Sequence, residues 1–198
     1  MTVSPRMSPE QPGLVGGVGK RQSADGRWGR DPRACEADSM IRRVDPDDWE
    51  RLRDVRLRAL ASDPDAFLET VEDARAFPVA RWRERARPSE HGVTFVHERD
   101  DAFDGMVSAF VDDDAETVHL VGMWVAPDLR GTGVARELVE RIIEWSRGRG
   151  RARVVLSVEG GNARAARLYE KCGFVELDTP PPLPYEPSPG TRFYAYTL

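Results

Sequence analysis

The sequence predicts a mixed α/β fold, a mostly antiparallel central sheet flanked by helices. Three observations predict it. Short alternating runs at Val93–His97, Met106–Val111 and Thr117–Val125 follow one another across Asp- and Gly-rich turns, as in a meander. Apolar residues at helical spacing stand on either side of these runs: Trp49, Leu52, Val55 and Leu60 before them, Val134, Leu138, Ile142 and Trp145 after them. A buried-type strand, Arg151–Val158, then lies between two helical segments.

The elements follow in order. Met40-Ile41-Arg42-Arg43-Val44 reads as the first strand. Asp45-Pro46-Asp47-Asp48 opens a helix, with an Asp cap, a proline in the first turn and acids at the positive helix end. Leu57 falls near the same face as Trp49, Leu52, Val55 and Leu60. Ser62-Asp63-Pro64-Asp65 breaks that helix and starts a second through Phe67, Leu68 and Val71; a third spans Val79–Ala86. Turns are expected over Asp100–Gly105 and Asp112–Asp114. Pro127–Gly133 leads into a helix from Val134 to about Arg147. Asn162–Cys172 forms the last helix, closed by Gly173 in a left-handed cap. Phe174–Leu177 and Phe193–Leu198 are closing strands, separated by a proline-rich loop, Thr179–Arg192.

The chain has 198 residues and a net charge of −5, which suits one domain with a real core. Residues 1–39 are rich in Gly, Pro, Ser and Arg, without sustained apolar period, and are expected to form a disordered tail. The domain is expected to span 40–198. The tail carries six basic and five acidic residues, so the domain is near −6. That balance argues against nucleic acid, whose binding modules present a basic face. A cationic small molecule or a basic peptide suits it better. Two cysteines, Cys35 and Cys172, make no disulfide framework. No stretch approaches the roughly 18 apolar residues of a membrane span, and a cytoplasmic location is expected. His91, His97 and His119 lack metal-ligand spacing, so no metal is expected.

The segment Val125-Ala126-Pro127-Asp128-Leu129-Arg130-Gly131-Thr132-Gly133-Val134-Ala135 carries the chemistry. A strand ends, a turn follows, and a helix begins at small residues. The first amides of a helix lack partners, and the helix dipole makes that end positive. Gly131 and Gly133 remove side chains, so phosphate oxygens can approach those donors. The G-x-x-x-x-G-K-[ST] pattern of a P-loop is absent, as is the third glycine of a dinucleotide fingerprint.

Arg130-Gly131-Thr132-Gly133-Val134-Ala135 matches Q/R-x-x-G-x-G/A, the signature of the GNAT superfamily of acyl-CoA N-acyltransferases. About 30 residues on, Asn162-Ala163-Arg164-Ala165-Ala166-Arg167-Leu168-Tyr169-Glu170-Lys171-Cys172-Gly173-Phe174 resembles that family's second cofactor motif, N-x-x-A-x-x-L-Y-x-x-x-G-F. The resemblance covers about residues 40–198. It implies a splay between the fourth and fifth strands that receives a pantetheine arm, with acetyl-CoA as co-substrate. Backbone groups of Met123 and Val125 would pair with that arm, the Met123 N–H facing the thioester carbonyl. The amides of Gly131, Gly133, Val134 and Ala135 would bind pyrophosphate. Arg130 would cap the loop or help neutralise the phosphates, and Asn162 would bond the pantetheine beside its plainer role as a helix cap. Tyr169 stands where the family places the acid for the leaving thiolate; its other reading is an aromatic filling the gap between helix and sheet.

The reaction also needs a base. His119 is the leading candidate, two alternations before Met123 on the same strand and therefore expected on the same face. Glu69 and Glu72, expected on the second helix, are rivals, as is a water chain. Trp82, Trp124 and Phe110 are read as core, with an acceptor-pocket lining as the other reading. The expected function is transfer of acetyl from acetyl-CoA to a primary amine of a small molecule or peptide, directly in a ternary complex, by a protein that can form a homodimer. The competing reading is a non-catalytic acyl-CoA-binding regulator, or an adaptor using the proline loop.

Overall fold

The structure, a computed structural model, describes residues 40–112, 116–181, 183 and 186–198. The expected tail, part of the Asp112–Asp114 turn and part of the proline loop lie outside these residues. Seven strands form one sheet: β1 (Met40–Arg43), β2 (Gly92–Arg99), β3 (Ala102–Val111), β4 (Thr117–Val125), β5 (Arg153–Val158), β6 (Val175–Leu177) and β7 (Arg192–Thr197). Their spatial order is β1-β2-β3-β4-β5-β7-β6. Every neighbouring pair is antiparallel except β4 and β5, which are parallel and joined through a helix.

Five helices cover the sheet: α1 (Trp49–Ser62), α2 (Val71–Ala76), α3 (Val79–Ala86), α4 (Val134–Arg147) and α5 (Ala163–Lys171). On one face Val107, Ala109, Val118, Leu120, Val154 and Leu156 pack against Leu138, Val139 and Ile142 of α4 and against Ala166 and Tyr169 of α5. Those three α4 side chains are fully buried. Each contributes about 1.5–3 kcal/mol of hydrophobic stabilisation. On the other face Met106 and Trp124 pack against Leu52, Val55 and Ala59 of α1. The mixed sheet with helices on both faces is the fold the alternating and helical periods predict.

Two boundaries differ from expectation. Pro64–Ala66 forms only one 3-10 turn, and α2 begins at Val71. Thr70 accepts the Asp73 amide at 3.1 Å while Asp73 accepts the Thr70 amide at 3.3 Å, a reciprocal cap that fixes the start five residues later than Ala66. Phe67 stays extended. The turn expected over Asp100–Gly105 is only Asp100-Asp101, both with positive φ (51° and 62°), as a tight hairpin requires. β3 therefore starts at Ala102. Asp104, read as turn chemistry, is buried in the strand, where it meets His97 Nδ1 at 2.5 Å and Arg99 Nε at 2.8 Å.

The register between β3 and β4 slips once. Met106 faces Trp124, but Ser108 faces Val121. Gly122 and Met123 thus oppose Val107 alone, which is a β-bulge. Gly122 has φ +64°, a left-handed conformation that glycine adopts without strain. An extra residue inverts side-chain parity beyond it. His119 and Val121 share a face with Trp124, towards α1; Met123 packs into the cluster on the α4 face. The expectation that His119 and Met123 share a face is corrected by this bulge.

Candidate active site

β4 and β5 pair only at Thr117 with Arg153, Val118 with Val154 and His119 with Val155. Beyond these, β4 runs on to Val125 beside β3, and β5 runs on to Val158 beside β7. The two strands separate, and the bulge at Gly122 lies where they do. A cavity of about 500 Å³ occupies the gap. It is lined from the α4–α5 face by Ala135, Ala165, Leu168 and Tyr169, and from the α1 face by Arg56, Phe67, Glu69 and Arg85. The cavity thus joins the two sides of the sheet.

The β4 edge of the gap is polar backbone. The Ala126 amide donates to the Asp104 carbonyl at 2.8 Å. Alternation along an antiparallel pair then turns the Val125 N–H and carbonyl away from β3, towards the gap. Arg130 Nε donates to that carbonyl at 3.1 Å, and Arg130 Nη2 reaches Asp63 Oδ2 at 2.5 Å. Asp63 also accepts from Ser62 Oγ and from Trp124 Nε1. Burial alone would raise the Asp63 carboxyl, but the bonds from Ser62, Arg130 and Trp124 outweigh it and hold the group below its usual range. Of the two readings of Arg130, the loop-tying one is the contact present.

Past β4 the chain makes a 3-10 turn, Pro127–Leu129. Its amides are used early: Leu129 to Ala126 O at 3.0 Å, Arg130 to Pro127 O at 3.3 Å, Thr132 to Leu129 O at 3.3 Å. The next backbone bond is Glu137 to Gly133 O at 3.1 Å, the first of α4. Among the described residues, the amides of Gly131, Gly133, Val134, Ala135 and Arg136 have no partner. Gly131 and Gly133 hold φ +88° and +108°. A Cβ on Gly131 would meet nothing within 4 Å, so the loop opens to free space there.

Asn162 caps α5, its Oδ1 accepting the Ala165 amide at 3.1 Å, and it also lines the cavity. α5 ends with the Phe174 amide on Tyr169 O and the Gly173 amide on Glu170 O, both at 3.0 Å. This is the paired closure that a left-handed glycine permits, and Gly173 has φ +90°. The same closure sets the Phe174 ring edge-on to Tyr169, centroids 5.7 Å apart. Tyr169 is 5% exposed and lines the cavity; its hydroxyl has no hydrogen-bond partner among the described residues. Burial pushes the phenol well above its ordinary range, and the neighbouring Cys172 adds to this. Tyr169 therefore stays protonated at any physiological pH.

The gap thus gathers Met123, Val125, Arg130, Gly131, Ala135, Asn162 and Tyr169. Gly133 and Val134 stand at the start of α4, just beyond its lining. His119 is not part of the lining. It is buried, stacked on Phe110 at 4.7 Å and bonded through Nε2 to Asp112 at 3.1 Å. Glu69 precedes α2 rather than lying on it, and Glu72 is exposed. Glu69 receives Arg56 Nε at 2.9 Å and Arg85 Nη2 at 2.8 Å. Burial would raise its carboxyl, but the bonds from Arg85 and Arg56 prevail and hold it low. Trp124 lines this cavity, whereas Trp82 and Phe110 line a second one.

Sequence reasoning missed Gly122, Asp63, Arg56 and Arg85. Gly122 had a signal, since a lone glycine inside a strand pattern marks a bulge. Asp63 had none, because its partners Trp124 and Arg130 lie 61 and 67 residues away. No group of three or more His, Cys, Asp or Glu suited to a metal occurs among the described residues, nor any helix long and apolar enough to cross a membrane.

A parallel pair of strands that parts over a cavity, with an open amide loop and helix start at its rim, defines an acyl-CoA transferase class of fold. The sequence model described as Acetyltransferase (GNAT) family matches residues 49–174. The chain belongs to that family. Its curated relatives include a mycothiol acetyltransferase of Beutenbergia cavernae, 37% identical over 123 residues, 61% of this chain and 39% of that protein. A second, from Thermomonospora curvata, is 35% identical over 63% of this chain and 42% of its own length. The chain thus spans about two fifths of the curated relatives it matches. Among solved structures, an acetyltransferase from Streptococcus agalactiae superposes with TM-score 0.66 at 19% identity, covering 82% of this chain and 99% of that one. The PaiA N-acetyltransferase of Thermoplasma acidophilum, solved with coenzyme A, gives TM-score 0.62 at 14% identity over 81% and 99%. At these identities the two structures speak to the fold.

Proposed function

We propose that the protein moves the acetyl group of acetyl-CoA to the primary amine of a small acceptor, by direct attack while both are bound. The observation that carries this is the gap between β4 and β5, open to both faces of the sheet. A thioester entering from the α4 side and an amine entering from the α1 side meet there.

Each residue has a role in this reading. The free amides of Gly131, Gly133, Val134 and Ala135 receive the diphosphate, which the start of α4 also favours by its dipole. The Val125 backbone and Asn162 hold the pantetheine. The Met123 N–H stabilises the oxyanion that grows as the amine attacks; one such donor contributes about 2.7–4 kcal/mol in comparable sites. Tyr169, kept neutral by burial, gives its proton to the departing thiolate.

An amine with pKa near 10 is mostly protonated at neutral pH and must lose a proton first. Among the described residues, three carboxylates line the cavity: Asp63 and Glu69 are held ionised by arginine bonds, which makes them weak bases, and Glu159 accepts from Thr191 Oγ1 at 3.4 Å. His119 lies off the cavity. We take the proton to leave through water, the route that needs no single side chain. A small-molecule acceptor fits the cavity volume, and the relatives named mycothiol acetyltransferase carry the name of a small molecule. Residues 40–198 are proposed as the acetyltransferase domain, whose activity should survive removal of residues 1–39.

The test is release of free thiol from acetyl-CoA across a panel of amines, with Tyr169→Phe alongside. Amine-dependent release that Tyr169→Phe slows, without loss of coenzyme A binding, supports the reading. Coenzyme A binding without release on any amine favours the non-catalytic regulator.

A further inference from the structure

A second cavity, of about 360 Å³, adjoins the first and shares Arg56, Arg85, Val121 and Gly122 with it. It lies on the α1–α3 face, where the acceptor enters in the reading above. Its charged lining is Arg56, Arg85 and Arg87 against the single carboxylate Glu84. Glu84 and Arg87 are exposed at its rim; Arg56 and Arg85 lie deeper, with 13% and 34% of their side chains exposed.

Arg56 and Arg85 share one counter-ion. Glu69 takes Arg56 through Nε alone, and takes Arg85 through both terminal nitrogens, at 2.8 and 3.4 Å. One positive charge is left over. The Arg56 guanidinium lies 4.5 Å over the Phe67 ring, and its Nη1 and Nη2 have no partner among the described residues. Nη1 stands 3.6 Å from where a Cβ on Gly122 would be, beside the bulge that presents Met123. A second donor is also spare: Trp82 lines this cavity, is 1% exposed, and its Nε1 is buried without a partner. A buried donor without an acceptor is costly unless a ligand or water completes it.

We propose that the acceptor is a small amine bearing a carboxylate, held by the outer edge of the Arg56 guanidinium with Arg85 behind it, its body in the second cavity. This rests on the acetyl-transfer reading and names its acceptor class. The geometry sets the scale: Gly122 precedes Met123, so one or two carbon atoms separate the carboxylate at Arg56 from the attacking nitrogen, as in an α- or β-amino acid. It departs from the cationic acceptor expected from the domain's net charge. Net charge describes the whole surface, whereas the cavity walls carry the opposite sign.

The test uses the intact 198-residue protein and matched pairs that differ only in charge: glycine with glycinamide, β-alanine with β-alaninamide, glutamine with glutamine amide. The acid of each pair is expected to exceed the amide in kcat/KM by about tenfold or more, and Arg56→Gln to abolish the difference while coenzyme A binds as before. Amidation makes the amine less basic and so raises its reactive fraction, a bias against the prediction. Arg85→Gln is the second variant, should Arg56→Gln not fold. Faster turnover of spermidine or an aminoglycoside than of the acids overturns the proposal and leaves acetyl transfer standing. A binding measurement separates the two further: calorimetry of N-acetylglutamine and of its amide into the coenzyme A complex. The acid is expected to bind more tightly, and less so in Arg56→Gln. Equal binding of acid and amide overturns the proposal whatever the turnover.

Discussion

Arg130 turns back along the chain to donate to the carbonyl of Val125 at 3.1 Å. The same guanidinium reaches Asp63 at the end of α1. One side chain thus fastens the last residue of β4, the loop after it and the helix beyond the cavity.

Arg130→Ala should therefore loosen the loop and unpair Asp63. Loss of a charge-assisted bond of this partly exposed kind costs about 1–3 kcal/mol of stability. Coenzyme A affinity should fall about tenfold as the loop loses its order. Arg130→Lys should rescue little, because one ammonium cannot span both acceptors. Urea midpoints and coenzyme A titrations read these effects.

Gly131→Ala and Gly133→Ala each place a Cβ in a left-handed conformation, at about 1–2 kcal/mol. The Gly131 Cβ has open space around it, so folding bears only that cost. Coenzyme A binding should suffer more, because the Cβ stands where the diphosphate approaches. A larger loss in coenzyme A affinity than in unfolding free energy is the expected pattern.

Gly122→Val tests the bulge. A β-branched residue there must leave φ +64° or bear its strain. Leaving that φ shifts the register that separates His119 from Met123, and bearing it keeps the register at a cost in stability. Stability should fall by about 1–3 kcal/mol and acetyl transfer should drop further than stability alone explains. Chemical unfolding followed by thiol-release kinetics checks both.

Tyr169→Phe should slow thiol release and leave coenzyme A affinity nearly unchanged. It also carries a signature in stability. The folded state raises the Tyr169 phenol above its unfolded value of about 10. The folded state is therefore undisturbed below pH 10, and stability is lost as pH rises above it. The Phe variant should lose less stability than the parent protein between about pH 10 and 11.5. Thermal unfolding across that range reads the difference.

Glu69 titrates in the other direction. Its carboxyl is held below the usual range, so its contribution is present above about pH 4.3 and fades as pH falls further. Glu69→Gln leaves Arg56 and Arg85 facing each other and should cost about 1–3 kcal/mol at pH 7. The penalty should shrink towards pH 3, measured by urea unfolding at each pH.

The sequence announces some of this plainly and hides the rest for a physical reason. The amide cradle is legible because Gly131 and Gly133 sit between a strand pattern and a helical one. The Tyr169 position is legible because Gly173 ends its helix. The faces of β4 are not, because parity along a strand is local and one extra residue at Gly122 inverts everything after it. The start of α2 is hidden among several Asp and Pro signals, of which the Thr70–Asp73 pair prevails. The acceptor end is the least legible. Arg56, Glu69 and Arg85 come from three separate segments, and only packing brings them together.

The central claim is that the free amides from Gly131 to Arg136 receive the diphosphate of coenzyme A beside the parted strands. The most direct measurement is an amide nitrogen–proton NMR spectrum of the labelled protein during coenzyme A titration. The account predicts saturable shifts concentrated at Gly131, Gly133, Val134 and Ala135, with Met123 and Val125 following. Signals there that stay in place at millimolar coenzyme A would contradict it.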